Sequence, residues 1–250
     1  MHALLPPPTC WPFRGRSRGA PHRAAALARV RTWLRAAIAA VACTALLLVS
    51  VGGWAWDSDR MLAAAQRQGA AATAGVRALL PVLADATALD DEHRLAAINE
   101  FFNRRIVFTD DDLVWGQADF WASPVELLGK GRGDCEDYAI AKYFSLVAVG
   151  VPVARLRLVY VRAQIGGPGG ASQAHMVLAY YAQPGAEPLI LDNLIGEIRP
   201  ASRRADLTPV FSFNSEGLWQ GAAGAAAGDP TARLSRWREV LAKAQAEGFR

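Results

Sequence analysis

Gly131-Arg132-Gly133-Asp134-Cys135-Glu136-Asp137-Tyr138-Ala139 is the stretch from which the fold is read. Its two glycines end a loop and Asp134 suits an N-cap, while Ile140, Phe144 and Val147 recur at helical spacing, predicting a helix over 135–149. Cys135 then lies on the first turn, where the helix dipole favours a thiolate.

Outward from this helix the pattern changes. Residues 155–163, 175–182 and 188–194 are rich in β-branched, aromatic and aliphatic side chains, with turn signals at 166–170 and 183–185 between them. They predict an antiparallel meander. Upstream, 57–89 reads as an alanine-rich helix and 91–102 as a second, carrying Leu95, Ile98, Phe101 and Phe102 on one side. A less regular segment with Trp115, Gln117, Trp121 and Pro124 leads to the cysteine helix. Helices followed by strands predict an α+β fold with the sheet packed on that helix. Residues 221–228 read as a Gly/Ala linker, after which Asp229 and Pro230 open a C-terminal helix with a Leu234, Trp237, Leu241 stripe.

The first 56 residues have a different character. Seven arginines, from Arg14 to Arg35, precede an apolar run over 36–56, and no acidic residue occurs before Asp57. This is an export pattern that leaves later residues across the membrane, in a bacterium the periplasm. Gly52, Gly53 and Ala55 suit cleavage of a signal peptide, whereas Trp54 and Trp56 suit a retained transmembrane helix. The organisation is thus a leader over 1–56, a catalytic domain over 57–220, and a linker with terminal helix over 221–250. The whole chain carries 27 basic and 23 acidic residues. Without the leader's seven arginines the balance is 20 against 23, and a slightly acidic domain without a basic face excludes nucleic acid as partner.

Cys10 and Cys43 fall in the leader, which leaves Cys135 as the one thiol beyond it. An unpaired cysteine in an oxidising compartment is either buried packing or a used nucleophile. His2 and His22 also lie in the leader, and His93 sits on a helix, so His175, which opens a predicted strand, is the candidate base. An ordinary strand histidine is the alternative. The imidazole needs a carboxylate or amide to hold its tautomer. Asp192 interrupts the apolar run Leu189-Ile190-Leu191, where an unpaired charge is costly, although an aspartate there also suits a turn and Asn193 competes for the role. The Cys135 backbone N–H and Gln117 are candidate oxyanion donors.

The run 131–139, together with Ala174-His175-Met176-Val177-Leu178, Leu191-Asp192-Asn193-Leu194, Trp115-Gly116-Gln117 and Phe120-Trp121-Ala122, resembles the bacterial transglutaminase-like cysteine proteinases of the LapG type. The likeness extends over about 91–199. It implies a papain-like or transglutaminase-like fold and a thiol protease with the triad Cys135, His175, Asp192. It further implies a periplasmic enzyme that cleaves the N-terminal region of a large surface adhesin at a paired-alanine site and so controls biofilm attachment. An inner-membrane cyclic-di-GMP receptor of the LapD type and dependence on calcium belong to the same implication. The calcium has a partial physical basis. Asp134, Glu136 and Asp137 crowd a thiol that must ionise, and a divalent cation offsets their charge; oxygen ligands suit calcium better than zinc. The alternative is that these acids only favour the helix N-terminus. With the resemblance, Asp134 and Glu136 are the expected metal ligands. A thiol acyltransferase and a non-catalytic binding module on the same fold are the competing functions, the first sharing the thioester chemistry and the second having no use for an intact triad.

Overall fold

The computed structural model describes residues 56–167, 169–222 and 224–249. The leader's arginines, Cys10, Cys43, His2, His22 and nearly all of the apolar run lie outside them. No helix among the described residues is long and apolar enough to cross a membrane.

The long alanine-rich stretch is two helices, α1 (Ser58–Gln68) and α2 (Ala70–Thr87), because Gly69 between them holds φ 113°, a value costly for any residue with a Cβ. Helix α3 (Asp91–Arg105) begins at Asp90, whose carboxylate accepts from the His93 N–H. Strand β1 (Val107–Phe108) leads to a short helix α4 (Asp111–Val114) and then α5 (Pro124–Lys130). A reciprocal capping box of Ser123 and Glu126, with Pro124 at the first position, starts α5. Gly131, left-handed at φ 64°, ends it. The chain then enters β2 (Arg132–Gly133), which pairs parallel with β1 and delivers Asp134 to the start of α6 (Cys135–Ala148).

Every residue of α6 from Glu136 to Leu146 is buried, as in a helix enclosed on all sides. It packs between α3 and the sheet. That sheet comprises β3 (Leu156–Ile165), β4 (Ala171–Tyr180), β5 (Leu189–Leu191), β6 (Arg199–Pro200), β7 (Leu207–Phe213), β8 (Leu218–Gln220) and β9 (Ala226–Gly228). All neighbours are antiparallel, in the order β6-β5-β4-β3-β7-β8-β9. The helices cover the face that carries Leu156, Leu158, Met176, Leu178 and Phe213. A smaller cluster of Val159, Val161, Val177, Ala179 and Ile190 occupies the other face. The architecture is α+β, with the cysteine helix on an antiparallel sheet.

Three expectations change. His175 lies in the middle of its strand rather than at the start, because β3 and β4 extend as a long hairpin up to the 166–170 turn. The meander is widened by β7, which pairs with β3 on the side away from β4. Part of the stretch read as a linker is the edge strand β9. Beyond it α7 (Pro230–Arg233) and α8 (Ser235–Glu247) return to the core, where Trp237 is fully buried against Tyr143, Phe144 and Phe213. Phe249 then forms a bridge with Trp56, so the far end of the domain closes on its beginning.

Candidate active site

Cys135 occupies the first turn of α6 and is partly exposed. Helix α6 packs on β4, the strand that carries His175 and Met176, and the Met176 N–H works against the rise of the thiol described below. His175 is buried, and its Nε2 lies 2.8 Å from Asp192 Oδ1. Asp192 follows the last residue of β5, fully buried, where the sheet ends and the chain turns. The carboxylate of Asp192, not the amide of Asn193, faces the imidazole.

Asp192 is held from four directions. Its Oδ1 also accepts from the Leu194 N–H at 3.0 Å, and its Oδ2 accepts from Arg204 Nη2 at 2.7 Å. Asn103 Nδ2, on α3, donates to its backbone carbonyl at 2.8 Å, and one turn earlier Asn99 Nδ2 donates to Gly196 O at 2.9 Å. The two amides pin the loop after β5 to α3. Arg204 is itself buried and forked onto Asp206, with Nε at 3.0 Å and Nη2 at 2.8 Å. Burial pushes the Asp192 carboxyl up, but the hydrogen bond and charge of His175, the Leu194 N–H and Arg204 outweigh it and leave it at about 2. It is ionised throughout the neutral range. Sequence reasoning missed Arg204, Asp206, Asn99 and Asn103, since each acts through a contact between segments far apart in the chain or across a turn.

The surroundings of the sulfur are acidic. Its thiol donates to Glu136 Oε2 at 3.0 Å. Burial first, then the charge and hydrogen bond of Glu136 and the charge of Asp134, push the thiol up. Burial and the neighbouring Glu136 and Asp137 also raise Asp134. Asp134 stands at the N-cap position but makes no side-chain capping bond, so capping does not account for it. Asp137 is buried and accepts from the Ala122 N–H at 2.8 Å, yet its other oxygen has no partner. Asp111, from α4, accepts the Phe120 N–H and likewise leaves one buried oxygen without a partner; burial raises it to about 6.

Ligand oxygens of Asp111, Asp134 and Asp137 lie within 4.8 Å of one another, and Asp134, Cys135 and Glu136 form a second such group. Buried carboxylate oxygens without partners, on an all-oxygen donor set, fit a hard divalent cation. Asp111 was not anticipated: it is the middle of three consecutive aspartates, and only burial distinguishes it from Asp110 and Asp112. Gly133 adjoins this cluster, and a Cβ there would meet Leu127 Cδ1 at 2.7 Å and the Asp137 carboxylate. Gln117 is exposed. Trp115 and Trp121 pack against the core.

A family model of bacterial transglutaminase-like cysteine proteinases matches residues 82–207. No curated protein matches the chain. Among solved structures, Legionella pneumophila LapG is 37% identical, with a TM-score of 0.65, over 75% of this chain and 96% of that one. Its EGTA-treated form gives a TM-score of 0.66 over 75% and 97%, and its calcium-bound form 0.64 over 75% and 98%, both at 37% identity.

Proposed function

The chain belongs to the bacterial transglutaminase-like cysteine proteinases, and on that premise we propose that Cys135 is its nucleophile, His175 its general base and Asp192 the group that orients the imidazole. It is a LapG-type cysteine protease, and its substrate is a protein. The observation that carries the residue assignment is the His175–Asp192 bond of 2.8 Å on the strand against which the Cys135 helix packs.

In the reaction the Cys135 proton passes to His175, and the sulfur attacks the carbonyl carbon of the scissile peptide. Asp192, ionised and fixed by Arg204, supports the imidazolium and holds the ring's Nε2–H. His175 then protonates the leaving amine. A water deprotonated by His175 hydrolyses the thioester and frees the enzyme. The backbone N–H of Cys135 is positioned at a helix N-terminus and is the candidate donor to the oxyanion. The thiol's bond to Glu136 is a resting contact that must be given up before the sulfur is nucleophilic.

The cation is calcium in this proposal, supported by the calcium-bound relative and by the orphaned oxygens of Asp111, Asp134 and Asp137. Asp134 and Glu136, with Asp111 and Asp137, would hold it, and what it supplies is positive charge against carboxylates that otherwise keep the thiol protonated. The substrate is the N-terminal region of a large surface adhesin, cut at a paired-alanine site in the periplasm, with release from biofilm as the consequence. A LapD-type inner-membrane receptor for cyclic di-GMP is the regulating partner. The test is incubation of the full chain with an adhesin fragment. Shorter products that disappear with Cys135→Ala or with a calcium chelator, and return with calcium, are expected. Cleavage by Cys135→Ala, or heavier cross-linked products in place of shorter ones, would sink the assignment.

A further inference from the structure

Strand β4 is covered unevenly along its two edges. On one edge it pairs with β3 without a break from Ala171 to Tyr180. On the other, β5 reaches only Leu178 to Tyr180. Ala171, Ser172, Gln173 and Ala174 are exposed, and among the described residues no strand covers their outer edge.

The direction of the free main-chain groups follows from the alternation of the strand. The Tyr181 N–H reaches back to Arg155 O next to β3, so odd-numbered residues here point towards β3. Even-numbered residues point the other way, towards the edge on which Leu178 and Tyr180 pair with β5. The N–H and C=O groups of Ser172 and Ala174 therefore lie along the bare edge, immediately before His175. An exposed edge is normally blunted by a charge, a proline or a bulge. Here it carries only alanine, serine and glutamine, and its pairing with β3 is regular.

An extended peptide added to an edge uses main-chain bonds for affinity and lateral pockets for alternate side chains. We propose that the substrate polypeptide docks as an added strand on the outer edge of β4, bonding Ser172 and Ala174. His175, the residue after Ala174, and Cys135, on the helix packed against β4, then meet a main chain already extended. This deepens the assignment of Cys135 as nucleophile and rests on it.

The test uses full-length Cys135→Ala with an adhesin fragment that the wild-type chain cleaves, and follows amide exchange at single-residue resolution. Saturating fragment is expected to slow Ser172 and Ala174 by about tenfold or more, as for a newly formed hydrogen bond, and to leave Gln173, whose N–H faces β3, unchanged. Alongside it, Ala174→Pro removes one outward N–H at an edge position that tolerates proline. It should raise KM about tenfold with little change in kcat. Unaltered exchange at Ser172 and Ala174 in the saturated complex, or a wild-type KM in Ala174→Pro, overturns the docking mode while cleavage by the wild type persists. Absence of wild-type cleavage would instead strike the function on which it rests.

Discussion

Replacing Arg204 with methionine should destabilise the domain more than any loss of buried apolar area would explain. The guanidinium is 1% exposed, and the Asp192 carboxylate it touches is 0% exposed. Its loss leaves Asp192 Oδ2 without its 2.7 Å partner, still buried and still charged because His175 and the Leu194 N–H support Oδ1. Breaking a buried pair costs about 3–5 kcal/mol. The low end, about 3 kcal/mol, applies because those supports remain and Asp206, at 35% exposed, can be hydrated. The methionine stem replaces much of the packing, so the loss is electrostatic. Urea denaturation at pH 7 measures it as a lower midpoint with an unchanged slope. The double variant Arg204→Met/Asp192→Asn should recover part of the loss, since the uncompensated charge is gone. The sign with pH is fixed by Asp192, whose folded value of about 2 lies below its ordinary 3.8. Its contribution, about 2 kcal/mol, is complete above pH 4 and lost as pH falls through 2. In Arg204→Met that loss begins at higher pH. A wild-type midpoint in Arg204→Met, or strict additivity in the double variant, would refute the reasoning.

Lys142 is wholly buried on α6, its Nζ has no hydrogen-bond partner, and burial lowers it to about 7. Lys142→Met is expected to stabilise by about 2 kcal/mol at pH 6, where the folded amine is still charged. The gain shrinks as pH rises from 7 towards 10; denaturation midpoints at pH 6 and 9 check it, and a gain that grew with pH would contradict the sign. Gly133→Ala crowds Leu127 and the Asp137 carboxylate, should cost about 1–3 kcal/mol, and should reduce the rise in Tm produced by calcium, read by thermal scans with and without the ion. Burial raises Glu247, which accepts from Ser123 Oγ, to about 7. Stability should therefore fall as pH rises from 4.5 through 7, and Glu247→Gln should flatten that slope in urea titrations at pH 5 and 8.

What could be read from the sequence was what local pattern encodes. The helix starting at Cys135 follows from the loop glycines and the spacing of Ile140, Phe144 and Val147, and Asp192 attracts notice because it ends an apolar run. Contacts between distant segments have no such signature. Arg204 follows another arginine in a stretch that reads as surface, and only the fold turns it inward beneath Asp192. Asp111 sits among identical neighbours. Strands β6, β8 and β9 are short, and β9 is made of Ala226, Ala227 and Gly228, whose composition argues for a linker; pairing with β8 overrides that preference.

The bridge from Trp56 to Phe249, with the Asp57 N–H on Gly248 O, has a bearing on how the enzyme is held together. Helix α8 packs on α1 and α5 and contributes Trp237 to the aromatic cluster, so this far segment completes the core. Residues far from Cys135, His175 and Asp192 in the chain therefore help to hold the core beneath them. The contacts of Trp237 with Tyr143, Phe144 and Phe213 thus tie the cohesion of the cysteine helix and the sheet to a segment that lies outside both.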